Sequence, residues 1–422
     1  MAPVAITAAI LAALGLNPLY AAGLCLIANT APVAFGALGI PILVAGKTAG
    51  IDLMLVGKMA GRQLPLLSMF VPIFLVWLMD GLKGVRETWP AVLVAGGTFA
   101  VTQFFTSNFI GPELPDITSA LVCLVATTAF LKLWQPREAF VFSAATGGGA
   151  PRHVPIPAGA SHMRYTTAQI TKAWSPFIIL TVVVVIWSLP AFKAMFAPGG
   201  VLSSTVLSYK ISGLHELVIR TTPVVAKDTP YPAIYNLDLI SATGTGILLS
   251  AVLSMFVLGI SIRDGLGVFK DTLIDLVKPI FTIACVLGFA FIANYSGISS
   301  TLALTLASTG HLFPFFAPVL GWLGVFLTGS DTSSNALFSS LQSITAHQIG
   351  VSDVLMVAAN STGGVTGKMI SPQSIAVACA AVGLVGRESE LLRFTVKWSL
   401  LFLLIICVVT YIQAYFLTGM IP

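Results

Sequence analysis

Charge is what this sequence has least of. Only 9% of its 422 residues are Asp, Glu, Lys or Arg, whereas a soluble domain carries about 25% because its surface must face water. So little charge excludes a water-facing surface over most of the chain and leaves lipid as the surrounding medium. A hydrophobic content of 56% and a mean hydropathy of +0.95 agree. The net excess of five positive charges is small for this length and reads as loop charge that orients helices, not as a nucleic-acid footprint. Cysteine is scarce too. Cys25, Cys123, Cys285, Cys379 and Cys407 stand singly in apolar runs, which argues against a disulfide framework or metal site and makes them small packing residues. No GxxxxGK[ST] loop occurs, so ATP-driven pumping by this chain is not expected. No HExxH, GxSxG or paired His/Asp motif occurs, so a membrane-embedded enzyme lacks its chemistry, and no cofactor or metal is expected. The first apolar run has no basic flank before it and does not resemble a cleaved signal peptide.

What is present is a series of apolar stretches: 4–14, 19–28, 33–45, 64–79, 90–105, 117–131, 177–189, 239–260, 280–293, 302–327, 336–344, 354–359, 365–385 and 396–417. They predict an all-α integral membrane protein, a polytopic helical bundle. Several are too short to cross a ~30 Å hydrocarbon core, which takes about 20 helical residues. Gly, Pro, Asn, Ser and Thr stand at the breaks. Backbone that leaves the helix at membrane depth exposes unpaired N–H and C=O groups, tolerable only where protein encloses them or a ligand meets them. Interrupted spans therefore point to a secondary transporter built from broken helices and re-entrant hairpins.

Residues 132–174 hold Lys132, Arg137, Arg152, Arg164 and Lys172 against the single acid Glu138, with a flexible Thr146-Gly147-Gly148-Gly149 segment. The positive-inside rule makes this segment a cytoplasmic linker, and the polar stretch 387–397 reads the same way. The chain after Gln413 carries no side-chain charge and is expected outside. The organisation expected is a first repeat region over 1–131, the linker over 132–174, and a second repeat region over 175–422 containing an external loop at 198–236. Trp77, Trp89, Trp134, Trp174 and Trp187 fall near span ends, as in an interfacial belt.

Two segments match when superposed. Asn29-Thr30 is followed by Gly36 and Pro41, and Asn360-Ser361 by Gly367 and Pro372, with seven residues from Asn to Gly and twelve from Asn to Pro in both. The pattern predicts a duplicated broken helix, of the kind inverted repeats place back to back at the membrane midplane. A helix that begins at membrane depth presents free N–H groups and the positive end of its dipole, which attract a carboxylate. Asn29, Thr30, Asn360, Ser361 and Thr362 add neutral donors beside the breaks, and Gly363 and Gly364 let a ligand approach the backbone. Ser333, Ser334 and Asn335, on a polar hairpin tip, join them as candidate substrate-binding residues.

Ionisable groups inside the bilayer are costly and so are functional candidates. Asp331 sits in a Ser/Thr-rich hairpin tip. Loss of hydration there disfavours the ionised form, which suits a carrier of exchangeable protons; the alternative is a helix cap. Glu113 and Asp116 lie between and beside Pro112 and Pro115, either sharing a proton or solvated in an interfacial loop. His311 either titrates or stabilises a helix break. Asp238 reads as an N-cap. Lys368 could face the substrate carboxylate, pair with Asp331 or snorkel to the interface.

The blocks Thr328-Gly329-Ser330-Asp331-Thr332-Ser333-Ser334-Asn335 and Asn360-Ser361-Thr362-Gly363-Gly364-Val365-Thr366-Gly367-Lys368-Met369-Ile370-Ser371-Pro372-Gln373-Ser374 resemble the bacterial L-lactate permease family. So do Asn29-Thr30-Ala31-Pro32-Val33-Ala34-Phe35-Gly36 and Ser107-Asn108-Phe109-Ile110-Gly111-Pro112-Glu113-Leu114-Pro115-Asp116. The resemblance runs essentially end to end. It implies proton-coupled uptake of L-lactate, D-lactate and glycolate across the bacterial cytoplasmic (inner) membrane, with the anion and protons as partners. It also implies the ion-transporter-like architecture of inverted repeats, often moving as an elevator. Family chains carry more membrane segments ahead of the point where this one begins, so the first repeat region is expected to be incomplete. A sodium-coupled or exchange carrier of another small organic anion, or an inactive fragment, stands as the alternative. Oligomeric state is not legible.

Overall fold

The computed structural model describes residues 2–136, 138–141, 152–155, 166–222 and 227–422. Residues Met1–Ala158 and Ile298–Pro422 form one compact unit, and Gly159–Gly297 a second. The first unit opens with α1 (Ala2–Ala13) and α2 (Pro18–Ala28). Asn17 Oδ1 accepts the Leu19 N–H at 2.9 Å, and Pro18 follows at the first helical position, where no donor is needed. A 3-10 turn (Val33–Phe35) leads into α3 (Gly36–Ala49). Gly50, at φ 73°, ends α3, and Asp52 caps α4 (Leu53–Phe109) by accepting the Met54 N–H at 2.7 Å.

α4 is two spans. Gly81, at φ 63° and ψ −154°, breaks it into arms 53–80 and 82–109, each of about 42 Å at 1.5 Å per residue and ample for the bilayer core. The arms fold back on one another. Ser68 Oγ donates to Gln103 Oε1 at 2.8 Å, and a Cβ at Gly96 would come within 2.6 Å of the Met69 carbonyl oxygen. α5 (Pro115–Leu133) follows, tied to the second arm by Thr106 and Thr118, whose hydroxyls are 2.9 Å apart. Of the linker expected over 132–174, strands β1 (Glu138–Val141) and β2 (Arg152–Pro155) pair antiparallel; Arg137, Arg164 and the Thr146–Gly149 segment lie outside the described residues.

The second unit holds α6 (Thr167–Ser188), α7 (Pro190–Ala194), β3 (Val206–Lys210), β4 (Ile219–Arg220), β5 (Thr229–Pro230), β6 (Ile234–Asp238), α8 (Thr243–Leu258) and α9 (Ile262–Tyr295). β3 pairs with β6 and β4 with β5, both antiparallel. The segment over 198–236 is thus a small strand module on a helical chain. Asp238 is no cap. It ends β6 opposite Val206, and Ala242 stands at the cap position of α8.

The first unit resumes with α10 (Ile298–Ala307), α11 (Phe313–Thr328), α12 (Asp331–Ile349), α13 (Asp353–Gly367), α14 (Pro372–Ala381) and α15 (Glu388–Tyr415). The stretch 302–327 is therefore interrupted, by the 3-10 turn Gly310–Leu312, and 365–385 breaks between α13 and α14. α11 and α13 are pressed backbone to backbone: a Cβ on Gly321 would strike the Asn360 carbonyl, and one on Gly363 the Pro318 carbonyl. Ile27, Phe35, Ile42, Met59, Phe313, Leu355, Met356 and Met369 fill the core. Phe74, Trp77, Trp398 and Phe402 form an edge-to-face cluster near the Gly81 end of α4.

Among the described residues, five helices are long and apolar enough to cross a membrane, the kinked α4 among them. Phe70, Phe109, Val125 and Leu327 stand exposed on their outer faces, as lipid-facing side chains do. Cys25, Cys379 and Cys407 are buried packing residues, whereas Cys285 is exposed.

The expected equivalence of Asn29 and Asn360 does not hold. Asn29 ends α2 as its C-cap, but Asn360 lies inside an unbroken α13, and the break comes later, between Gly367 and Pro372. Pro41 lies within α3, whereas Pro372 opens α14. The turns that do match are α3–Gly50–Asp52–α4 and α12–Gly350–Ser352–α13. In each, a left-handed Gly ends one helix and a capping side chain two residues on starts the next.

Candidate functional site

α12 carries the polar core of the first unit. Gly329, at φ 69°, ends α11, and Ser330 caps α12 by accepting the Ser333 N–H at 3.3 Å. The cap is therefore Ser330, which leaves Asp331 free for another role. Asp331 is the first residue of α12 and only 4% exposed. Its Oδ2 accepts the Ser361 hydroxyl at 2.7 Å and the Asn335 amide at 3.5 Å.

From there a directed chain of hydrogen bonds runs along the α12–α13 seam. Gln342 Nε2 donates to Asn360 Oδ1 at 3.3 Å, Asn360 Nδ2 to Asn335 Oδ1 at 2.9 Å, and Asn335 Nδ2 to Ser361 Oγ at 3.1 Å; Ser361 donates to Asp331. Every bond points toward the carboxylate. Asn335 Nδ2 also donates to the Pro41 carbonyl at 3.1 Å, bringing α3 into the group. Asp331 Oδ1, Ser339 Oγ and Gln342 Oε1 are buried and have no hydrogen-bond partner among the described residues. Such atoms cost about 1–3 kcal/mol each when nothing meets them.

Thr362 turns the other way and donates to Gln63 Oε1 at 2.7 Å; Gln63 Nε2 donates to Gln413 Oε1 at 2.8 Å and Thr410 Oγ1 at 3.3 Å. α13 is thereby fastened to α4 and α15. Gly363 and Gly364 do not open the backbone to a ligand, as the sequence suggested. A Cβ on Gly364 would meet Asp331 Oδ1 and Val325, so both glycines serve close helix contact. Lys368 is half-buried at the end of α13, and its Nζ donates to the Gly329 carbonyl. Among the described residues it forms no ion pair with Asp331. Ser334 Oγ donates to the Gly321 carbonyl at 3.0 Å, and Ser333 is buried beside it.

The other candidates lie elsewhere. Asn29 lines a pocket of about 220 Å³ with Val4, Thr7, Cys25, Ala28 and Pro32, while the buried Thr30 hydroxyl donates to the Ile27 carbonyl. Among the described residues no hydrogen bond joins Asn29 to the Asp331 group. Glu113 is buried, its Oε2 within 2.7 Å of where a Gly111 Cβ would stand. Asp116, at the start of α5, has an Oδ1 with no hydrogen-bond partner among the described residues and faces Gly36 at the start of α3. His311 is exposed and packs edge-on against Tyr415, 5.5 Å between ring centres.

Sequence reasoning missed Gln342, Gln63 and Gln103, fully buried amides inside helices. The signal was an isolated Gln within otherwise apolar or small-residue spans. It also missed Arg62, whose Nε donates to Asn108 Oδ1 at 2.9 Å and Nη1 to the Met420 carbonyl at 2.7 Å.

Comparison with known proteins agrees with this architecture. The L-lactate permease family model matches residues 1–417. The glycolate permease of Escherichia coli K12 is 62% identical over 421 residues, covering 99% of this chain and 75% of the relative. An L-lactate permease of the same strain is 59% identical, covering all of this chain and 75% of the relative. That of Bacillus subtilis is 51% identical, covering all of this chain and 76% of the relative. No solved structure matches. The chain belongs to the L-lactate permease family, and is a multi-pass permease of the bacterial cytoplasmic membrane rather than an enzyme.

Proposed function

We propose that this chain is a secondary transporter of L-lactate, D-lactate and glycolate, taken up with protons. Relatives named for L-lactate and for glycolate match it about equally well and over its whole length, which favours a site that accepts 2-hydroxy monocarboxylates with and without a methyl group. The observation that carries the coupling is Asp331. It is a buried carboxyl at the first position of α12, it receives a directed hydrogen-bond chain on one oxygen, and its other oxygen has no partner among the described residues. An anion bound near a carboxyl penalises its ionised form, so proton and anion favour one another's binding. Linkage makes that effect reciprocal.

The topology that fits places 132–174 and 387–397 in the cytoplasm and 198–236 and the C-terminus outside. α6 and α15 then each cross once, and the Phe74–Trp77–Trp398 cluster marks the cytoplasmic end of the first unit, the Arg62–Asn108–Met420 contacts its outer end. We read 1–131 and 175–422 as inverted repeat regions moving as an elevator; the matching Gly50/Asp52 and Gly350/Ser352 turns support the duplication.

The test is uptake of labelled L-lactate and glycolate into proteoliposomes under an imposed pH gradient, repeated with potassium replacing sodium. Accumulation that follows the pH gradient and ignores the swap supports proton symport. Accumulation that requires sodium replaces the proton with that ion, and one-for-one exchange alone rejects symport.

A further inference from the structure

Arg62 is a cation in the tenth position of a membrane-spanning helix, and the Asp331 group makes no use of it. An arginine in such a span is costly unless its charge is matched. Both protein groups that hold it are neutral. Nε donates to Asn108 Oδ1 and Nη1 to the Met420 carbonyl, and among the described residues it belongs to no ion pair.

The side chain is nonetheless firmly placed. Asn108 Nδ2 donates to the Phe104 carbonyl at 2.9 Å, which turns its oxygen toward the guanidinium. Gly61 packs so closely on Ser107 and Asn108 that a Cβ would collide with Ser107. A guanidinium has five N–H groups, and two of the five are taken here. The three that remain suffice for a two-pronged contact with a carboxylate, the geometry arginine favours. The site also adjoins the coupling machinery: the next residue, Gln63, accepts the Thr362 hydroxyl, and Thr362 follows Ser361, the donor to Asp331.

We propose that Arg62 binds the carboxylate of the transported anion at the end of α4 nearest the C-terminus. This rests on the reading of the chain as a 2-hydroxy monocarboxylate carrier. The anion supplies the missing counter-charge, and the Gln63–Thr362 bond makes occupancy of Arg62 felt on α13, where Asp331 is held. A neutral analogue such as lactamide gains nothing from this charge and does not compete.

Initial uptake rates of L-lactate and glycolate, over a range of concentrations, test the assignment in the parent chain, Arg62→Gln, Arg62→Lys and Asn108→Ala. Arg62→Gln is expected to raise KM for both anions about tenfold or more, the loss of a charge-assisted contact, with Vmax within about twofold. Arg62→Lys keeps the charge without the fork and should recover only part of the affinity, with KM between those of the parent and Arg62→Gln. Asn108→Ala keeps the charge but loosens its aim, so KM should rise less than in Arg62→Gln. If KM stays at the parent value in Arg62→Gln while only thermal stability falls, Arg62 is a clamp on the C-terminal segment and the proposal is overturned. Loss of folded protein in both Arg62→Gln and Arg62→Lys overturns it as well. A parent chain that moves neither anion removes the functional reading first, and this one with it.

Discussion

Ser361 donates its hydroxyl to Asp331 Oδ2 at 2.7 Å, so the carboxyl that begins α12 is tied to the middle of α13. Because Asn335, Asn360 and Gln342 all donate in the same direction along that seam, the polarity of four side chains, Ser361 included, is set by one acceptor. The proton state of Asp331 therefore bears on how the two helices are held together.

Asp331→Asn imitates the protonated acid in shape and charge. We expect it to keep lactate binding and lactate-for-lactate exchange and to lose accumulation driven by a pH gradient. Counterflow and gradient-driven uptake, measured on the same proteoliposomes, separate the two activities. An Asn variant that concentrates lactate as the parent does would move the proton site to Glu113, Asp116 or His311.

Asn29 and Asn360 should respond differently to alanine. The Asn29 side chain lines a pocket and makes no hydrogen bond among the described residues, so its loss should raise KM, up to about tenfold, with little change in melting temperature. Asn360 is a buried link between Gln342 and Asn335, so its loss should destabilise the protein by about 1–3 kcal/mol. Thermal unfolding in detergent beside uptake kinetics would show the contrast; equal effects on KM would restore both residues to the substrate site.

Lys368→Gln should act on the hairpin tip. Nζ is engaged with the Gly329 carbonyl between α11 and α12, and losing that charge-assisted bond is expected to cost about 1.5–3 kcal/mol of stability with lactate KM near the parent value. A rise in KM without loss of stability would instead place the ammonium on the substrate.

Gly363→Ala forces a methyl group into the Pro318 backbone. Overpacking of this kind costs about 1–3 kcal/mol or more, and here the obstacle is main chain, which cannot rotate away. We expect poor yield of monodisperse protein by size-exclusion chromatography. A Gly363→Ala protein as stable and monodisperse as the parent would mean that α11 can retreat from α13.

The sequence by itself determined the medium, the helical class and most of the breaks. Lipid follows from the scarcity of charge. The left-handed Gly50, Gly329 and Gly350 and the capping Asp52, Ser330 and Ser352 act on backbone within two or three residues of themselves, so residues of this kind mark a break locally, although the cap weighed for α12 was Asp331 and is Ser330. Asp331 was singled out because an acid among Ser and Thr, expected at membrane depth, stands out without any partner being known.

Only the tertiary structure decided the partners. Ser361 reaches Asp331 from 30 positions away, Asn335 reaches Pro41 across 294, and Thr362 reaches Gln63 across 299. No local rule carries such distances. Packing also reversed two readings: Gly363 and Gly364 serve helix contact, and Asn360 lies inside a continuous helix because Gln342 and Asn335 satisfy its side chain there. Gln63, Gln342 and Arg62 resemble ordinary span residues in one dimension. They become a fastening, a chain end and a cation with only neutral partners once α4, α12, α13 and α15 are brought side by side, because a buried polar group is defined by what surrounds it.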